Sequence, residues 1–130
     1  AEGEPRLKRG VTVDIREHVA GTVTVLEPLG RMVLSESPAD QFLKERVAAQ
    51  LREGRRQFIV DLHHVSQMDT SGLTTLAAAY IAVRKQQGRI VLVNPSERVR
   101  ELLRVTRLDT LFQMFDSEDD AIASLTQTQS

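Results

Sequence analysis

The chain has 130 residues, 41% of them hydrophobic and 27% charged, and a formal net charge of −1 at pH 7. This length suits one domain with a single core, and the near-zero charge gives no electrostatic footprint for nucleic acid. The absence of cysteine excludes disulfides and thiol chemistry, and the longest uncharged apolar run, residues 73–83, is too short to span a bilayer. We therefore predict a cytoplasmic domain with neither nucleic acid nor a membrane as its partner.

A β-hairpin is predicted near the start of the chain. Residues 1–10 are polar and charged, which is typical of a flexible lead. Alternating apolar and polar residues over 11–28, interrupted by Ala20 and Gly21, indicate two strands joined by a turn. A third short strand is expected at 29–33.

A helix and a buried strand follow the hairpin. "SPAD" is typical of a helix start, with Ser37 as the cap and Pro38 in the first turn, and Gly54 ends the helical pattern. "QFIVDL" is a compact apolar run that favours a central strand ending at Leu62. The next seven residues, 63–69, are predicted to form a loop.

The second half of the chain continues to alternate helices and strands. A helix ending near Gly88 is predicted from an apolar face made of Leu73, Leu76, Ala77, Tyr80 and Ile81. A strand, a helix, a short strand and a final helix are then expected at "RIVLVN", "PSERVRELLRVTRL", "LFQMF" and "SEDDAIASL". Residues 127–130 are expected to be a disordered tail. This order predicts a single-domain α/β fold over 11–126, with a mixed, mostly parallel β-sheet, an opening hairpin and about four α-helices.

The stretch "VSQMDTSGL", residues 65–73, lies where a strand passes into a helix, which is the usual place for function in such folds. It differs from a serine hydrolase elbow, because Asp69 stands two residues before Ser71 where the elbow has glycine. No second copy exists to supply the carboxylate pair of an aspartic protease. His63 and His64 are interpreted as loop residues rather than as a base or metal ligands. No catalytic residue, metal site or cofactor is predicted.

Nucleotide and receiver chemistry are also disfavoured. The chain contains no glycine-rich phosphate-binding motif. Asp61 stands near the strand end where a two-component receiver has its phosphorylated aspartate, but the acidic pair and the lysine of such a site are missing. Asp61 is interpreted as a strand-end residue bonded to local backbone.

The neighbouring hydroxyls of Thr70 and Ser71 have two interpretations. Together with Asp69 they are preferred helix-capping types, so the stretch indicates a helix N-terminus. Capping needs only one such residue, however, and Gly72 beside them leaves room for another chain to approach. A hydroxyl here is therefore also a candidate for phosphorylation, because a phosphate would meet the free amides and the positive dipole end of the helix.

Over most of its length, roughly residues 11–125, the sequence resembles STAS domains, and among them bacterial anti-sigma factor antagonists. "VSQMDTSGL" after "FIVDL" is similar to the family signature. Residues 88–125 resemble the family's late strand, helix, leucine-rich turn, short strand and acidic final helix. Val33 departs from the family pattern, in which a turn of the form G-x-L-D commonly has aspartate at this place.

The resemblance implies a regulatory switch and not an enzyme. In the family, the hydroxyl residue directly after the motif aspartate is phosphorylated by an anti-sigma factor that is also a serine/threonine kinase, and a metal-dependent phosphatase reverses the step. That residue is Thr70 here, with Ser71 as the fallback. The unphosphorylated antagonist binds the anti-sigma factor and frees a sigma factor. The residues expected to contact the partner are Gly30, Arg31, Met68, Asp69, Thr70, Ser71, Gly72 and Leu73.

The resemblance also allows an alternative of a different class. STAS domains serve as scaffolds or ligand sensors in stressosome-type complexes, without being phosphorylated. A weak homodimer is compatible with either reading.

Overall fold

The computed structural model describes residues 14–32 and 39–126. Its strands are β1 (Asp14–Ala20), β2 (Val23–Met32), β3 (Gln57–Asp61), β4 (Val65–Met68), β5 (Arg89–Val93) and β6 (Met114–Phe115). Its helices are α1 (Ala39–Arg52), α2 (Thr70–Lys85), α3 (Glu97–Val105) and α4 (Glu118–Thr126), with a short 3₁₀ helix at Leu108–Thr110. None of the helices that the structure describes is long and apolar enough to cross a bilayer. The features predicted at 1–10, Val33, Ser37, Pro38 and 127–130 lie outside the described residues.

The sheet has the strand order β1-β2-β3-β5-β6, and β4 pairs separately with β2. β1 and β2 form an antiparallel hairpin, whereas β2 with β3, β3 with β5 and β5 with β6 are parallel pairs. Helices connect β2 to β3 and β4 to β5, as crossovers between parallel strands require. The predicted α/β fold is confirmed, with its mixed, mostly parallel sheet, opening hairpin and four α-helices.

β2 is one long strand that changes partner, so the separate strand predicted at 29–33 is wrong. Residues 23–26 pair with β3, and residues 30–32 pair with β4. The register is irregular between Gly30 and Arg31, and Gly30 has a φ of 93°, a conformation open to glycine because it has no Cβ. The strand therefore bends at Gly30 and continues instead of ending there.

The loop predicted at 63–69 is also wrong in part, because it contains β4. This strand has four residues, of which only Val65 is buried. So short a run, with Ser66 and Gln67 exposed, has no hydrophobic pattern that distinguishes it from a loop. Its pairing with the bent end of β2 is a long-range contact that holds the residues before α2 in an extended conformation.

Side chains of the central strands alternate between two cores, one on each face of the sheet. Leu26 packs in the larger core, which α1, α2 and α3 cover, and its neighbour Val25 packs in the smaller core beneath α4. Phe58 and Ile59 on β3 divide in the same way, and all four side chains are fully buried. Helices therefore cover β3 and β5 on both faces of the sheet.

The buried face of α2 differs from the predicted one at Ala77, which is only half-buried, and at Ile81. Leu73 and Leu76 are buried as predicted, but Ile81 is 55% exposed and Val83 is fully buried instead. Successive residues turn by about 100° around a helix, so the core stripe runs through positions 73, 76, 80 and 83. Ile81 lies on the neighbouring, outward stripe, whose other members are Thr70, Thr74 and Ala77.

Candidate functional site

The motif lies where β4 passes into α2, and Asp69 is the N-cap of the helix. Its backbone is extended, with φ −123° and ψ −167°, and its carboxylate accepts hydrogen bonds from the amides of Ser71 and Gly72. The distances from Asp69 Oδ1 are 2.9 Å to Ser71 N and 3.4 Å to Gly72 N. The amide of Leu73 donates to the Asp69 carbonyl at 3.2 Å. The helix cap inferred from the sequence is confirmed, with Asp69 as the capping residue.

This cap corrects one expectation about phosphate. The sequence suggested that a phosphate would meet free amides at the start of the helix. The amides of Ser71 and Gly72 are instead already bonded to the Asp69 carboxylate, which is a strong acceptor, and the Leu73 amide is bonded to the Asp69 carbonyl. A phosphate beside Asp69 would therefore compete with this carboxylate for the amides of Ser71 and Gly72.

The two neighbouring hydroxyls have different surroundings. Ser71 Oγ donates to Asp69 Oδ1 at 2.8 Å and is partly buried. Thr70 is exposed, and within residues 14–32 and 39–126 its hydroxyl has no hydrogen-bond partner. Its carbonyl is engaged separately, accepting from the Thr74 hydroxyl at 2.9 Å. Thr70 is therefore the hydroxyl of this pair that an enzyme can reach without breaking the cap.

Replacing Asp69 with alanine is expected to lower the free energy of unfolding by about 1 kcal/mol, because the first turn of α2 loses its acceptor. Asp69→Ser is the matched control, since serine retains an oxygen that can cap the same amides, and we expect it to lose less than half as much. Urea unfolding followed by circular dichroism measures both variants. Equal losses in the two variants would contradict the capping role.

Gly30 and Arg31, far away in the sequence, lie beside the motif. β2 runs parallel to β4 here, with Gly30 opposite Val65 and Arg31 opposite Gln67, and the Gly30 amide donates to the His64 carbonyl at 2.9 Å. The same pairing brings Met32 opposite Met68, the residue before the cap. The backbones of the two segments from which partner-contact residues are predicted thus lie side by side.

A shallow groove of about 300 Å³ begins at Thr70. Its walls come from α2 and from the chain that follows α3, and its lining residues are Thr70, Leu73, Thr74, Ala77, Thr106 and Leu108. Gly72 and Leu73 are buried, with Leu73 only 3% exposed. A docked protein therefore reaches Leu73 only through the groove, and direct contact with Gly72 or Leu73 stays a prediction.

A family model for the STAS domain matches residues 18–121. The chain belongs to the STAS domain family. The candidate anti-sigma factor antagonist BtrV of Bordetella bronchiseptica is 27% identical over 92 residues, which are 71% of this chain and 78% of that protein. The anti-sigma-B factor antagonist of Listeria monocytogenes is 31% identical over 61 residues, 47% of this chain and 54% of that protein.

Solved structures share the fold of this STAS domain. The crystal structure of a candidate anti-sigma factor antagonist from Thermotoga maritima has a TM-score of 0.79 at 20% identity, covering 87% of this chain and 95% of that one. The Bacillus cell fate determinant SpoIIAA in its phosphorylated form has a TM-score of 0.66 at 19% identity, covering 86% of this chain and 97% of that one. These likenesses show a common architecture.

A second group of ionisable side chains lies on the α4 side of the STAS domain. Glu118, the first residue of α4, is hydrogen-bonded to Asp61 at the end of β3, and Glu118 Oε1 lies 3.4 Å from His18 Nε2. Glu27 of β2 is almost buried and lies 3.2 Å from His64 Nε2. The hydrogen bond to Asp61, burial, and the charges of Asp61 and Glu27 together raise the pKa of Glu118 to about 7. Glu118 therefore keeps its proton well above the pH at which a glutamate normally ionises.

Two sequence interpretations near this group, those of Asp61 and of the histidine pair, are confirmed. Asp61 Oδ1 accepts from the His63 amide at 3.0 Å, so Asp61 is bonded to local backbone as expected. His63 and His64 are exposed turn residues whose rings meet edge to face at 4.7 Å. In the part of the chain that the structure describes, no three histidine or carboxylate side chains are arranged to hold a metal ion.

Sequence inspection missed the grouping of Glu118, Asp61 and Glu27. The three residues come from separate segments, and no local pattern in the sequence brings them together. The available signal was an acidic residue at the end of a buried strand, Asp61, in a chain with a second acidic cluster at 116–120. That signal does not say which of the acids would meet.

Proposed function

We propose that this protein is an anti-sigma factor antagonist that is switched off by phosphorylation of Thr70. In its unphosphorylated form it binds an anti-sigma factor with serine/threonine kinase activity and thereby frees a sigma factor. The observation that carries the proposal is the exposed Thr70 hydroxyl, which follows the N-cap of α2 while its neighbour Ser71 is bonded to Asp69. A metal-dependent phosphatase would restore the active form, and all these partners would meet the protein in the cytoplasm.

The names of similar proteins support this function. Both similar proteins described above carry the name of anti-sigma factor antagonists, and SpoIIAA, which has the same fold, has been solved in a phosphorylated form. The matched family region, 18–121, includes both the motif and the strand pairing that brings Gly30 beside it. The comparisons therefore support a regulatory protein whose site is recognised and modified by a partner.

The geometry supports Thr70 as the acceptor. A kinase must bring the hydroxyl oxygen in line with the phosphorus that it attacks, so an exposed, unbonded hydroxyl is the better acceptor. Transfer to Ser71 would first require its bond to Asp69 Oδ1 to break. We assign Thr70 as the acceptor for this reason, and Ser71 remains the fallback.

The site also supports an electrostatic switch. A phosphothreonine carries about −1.5 to −2 charges at neutral pH. Since Asp69 already accepts from the amides of Ser71 and Gly72, a phosphate on Thr70 would have to compete with it for these donors. The phosphate would therefore present its charge, together with that of Asp69, to any docking protein.

We place the docking surface on the edge that surrounds Thr70. It consists of the outward stripe of α2, the groove beside it and the paired ends of β2 and β4. Ile81 continues the stripe and is 55% exposed, and Val105 at the end of α3 is 69% exposed. Exposed aliphatic side chains next to a hydroxyl that can be modified suit reversible binding of a partner protein.

Intact-mass measurement after incubation with the kinase and ATP tests the assignment. The kinase is to be obtained as the protein that co-purifies with the unphosphorylated chain from its native host. We expect one added phosphate on the wild type and on Ser71→Ala, and none on Thr70→Val. No added phosphate on the wild type would overturn the switch, and loss of the phosphate only in Ser71→Ala would overturn the choice of Thr70.

A further inference from the structure

α4 is attached to one face of the sheet by a small set of contacts. Of its nine residues, Ala121 and Leu125 are buried, and both pack in the smaller core against the central strands. At the end of the helix, Gln57 Nε2 of β3 donates to the Leu125 carbonyl at 2.9 Å. At its start, the carboxyl group of Glu118 is hydrogen-bonded to that of Asp61 at the other end of β3. The attachment of the first turn of α4 therefore depends on a pair of carboxyl groups.

The hydrogen bond between Glu118 and Asp61 requires a proton. Two carboxyl groups can bond to each other only while one of them carries a proton, because an ionised carboxylate has acceptors alone. Asp61 is 5% exposed, and its Oδ1 already accepts from the His63 amide at 3.0 Å. The side chain of Glu118 is 28% exposed, so its proton can exchange with solvent. The pair thus has its acceptor on β3 and its donor on α4.

Three carboxylates oppose the ionisation of Glu118. They are those of Asp61 on β3, Glu27 on β2 and Asp119, the next residue of α4. Partial burial acts in the same direction, and the pKa of Glu118 rises to about 7. The proton of the pair is therefore lost near neutral pH.

Positive groups offset these carboxylates only in part. His18 Nε2 of β1 lies 3.4 Å from Glu118 Oε1 and favours ionisation when its ring is charged. Glu27 lies 3.2 Å from the ring of His64 and 3.6 Å from the guanidinium of Arg16. β5 and β6 also pack against α4, and the single charged residue of these two strands begins β5, at the end of the sheet away from the pair.

We infer that the carboxyl pair of Glu118 and Asp61 is a proton-dependent latch, which holds α4 on the sheet below neutral pH and releases its first turn when the proton is lost. A carboxylate on Glu118 would face those of Asp61 and Glu27 in a half-buried site, where like charges repel strongly. A helix of nine residues is too short to be stable without its packing, so release of the first turn favours opening of the whole helix. The apolar strand face beneath α4 would then be uncovered in a pH-dependent way, independently of phosphorylation at Thr70.

Amide hydrogen exchange of the full chain, resolved by two-dimensional NMR and corrected for the intrinsic effect of pH on exchange, tests the latch. We expect the protection factors of amides 121–125 to fall about tenfold between pH 6 and pH 8 in the wild type. The reason is that the pKa of Glu118 is about 7 while α4 is closed and returns to its ordinary value of 4.5 when α4 opens. A raised pKa in the closed state stabilises that state at low pH, and this stabilisation is lost as the pH rises.

Glu118→Gln and Asp61→Asn both remove the shared proton. Asparagine at 61 retains an oxygen that can accept from the His63 amide, and it leaves the contact between His18 and Glu118 in place. In either variant we expect the protection of α4 to change less than about threefold between pH 6 and pH 8. The matched control is Asp120→Asn, which removes an exposed acid from the same turn and should retain the tenfold fall.

The amides of β3, which lies between β2 and β5, provide the reference for unfolding of the whole domain. Equal protection of α4 and β3 would show that α4 opens only with the domain and would overturn the inference. Protection of α4 that is independent of pH in the wild type would overturn it as well. A tenfold fall that persists in Asp61→Asn would assign the effect to His18, and its loss in Asp120→Asn would assign it to the general charge of the turn; both results contradict the latch. The same spectra show whether each variant is folded.

Discussion

Replacing Thr70 with aspartate is expected to weaken binding of the anti-sigma factor by about tenfold or more and to leave the fold intact. The new carboxylate would stand directly beside Asp69, whose own carboxylate caps α2. In the free protein, water screens the two charges from one another, and a docking partner would remove that screening. Two like charges about 7 Å apart at an effective dielectric of about 20 repel by roughly 2 kcal/mol, which exceeds a tenfold change in affinity.

Thr70→Val is the matched control for this prediction. Valine has nearly the shape of threonine, so it removes the hydroxyl without adding charge, and we expect it to bind the partner as the wild type does. Calorimetry with the purified partner compares the three proteins, and thermal unfolding checks that all are folded. Wild-type affinity in Thr70→Asp would argue against an electrostatic switch, and weak binding by Thr70→Val would show that the hydroxyl itself is a contact.

Replacing Glu118 with glutamine is expected to raise the free energy of unfolding at pH 8 by roughly 2 kcal/mol, because it removes a carboxylate that the folded protein holds in an unfavourable place. The pKa of Glu118 is raised to about 7, from an ordinary value of 4.5. The folded state therefore binds the Glu118 proton more tightly than the unfolded state does. The resulting stability is fully present below about pH 4.5, declines as the pH rises, and is lost above about pH 7.

Competing effects on the Glu118 carboxyl decide the direction in which its pKa shifts. A carboxylate in the first turn of α4 gains about 0.3–1 kcal/mol from the helix dipole, which favours ionisation. His18 also lies near enough to favour ionisation whenever its ring is charged. The opposing effects disfavour ionisation and dominate, so the pKa of Glu118 rises. They are the hydrogen bond to Asp61, partial burial, and the charges of Asp61, Glu27 and Asp119. The effect of the helix dipole on the pKa of Glu118 is therefore the smaller one.

Urea unfolding at pH values from 5 to 8 measures the Glu118 contribution. Glutamine resembles the protonated acid, so we expect Glu118→Gln to have a flatter dependence on pH than the wild type. His18→Gln is measured in parallel, because any part of the pH dependence that comes from the imidazole disappears in that variant. An unchanged pH profile in Glu118→Gln would show that Glu118 is ionised in the folded protein at neutral pH.

The parts of the fold that follow from local patterns could be predicted. Apolar runs such as "QFIVDL" and "RIVLVN" mark strands buried on both faces, and the spacing of Leu73 and Leu76 marks a helix. The alternation of strands and helices suffices to predict an α/β fold with a mostly parallel sheet, because parallel strands require crossover connections. The motif "VSQMDTSGL" could be placed at a strand-to-helix junction and assigned to the STAS family for the same reason, since all its signals are close together in the chain.

The sequence by itself determined the alternation of strands and helices, the family, and the start of a helix at residues 69–71. Only the tertiary structure decided that β2 bends at Gly30 to pair with β4, and that Ser71 is bonded to Asp69 while Thr70 is exposed. It also decided that Glu118 meets Asp61. The physical reason is the same in each case. Backbone conformation follows from neighbours a few residues apart, whereas charge pairing, hydrogen bonding and exposure of a side chain depend on segments that only folding brings together.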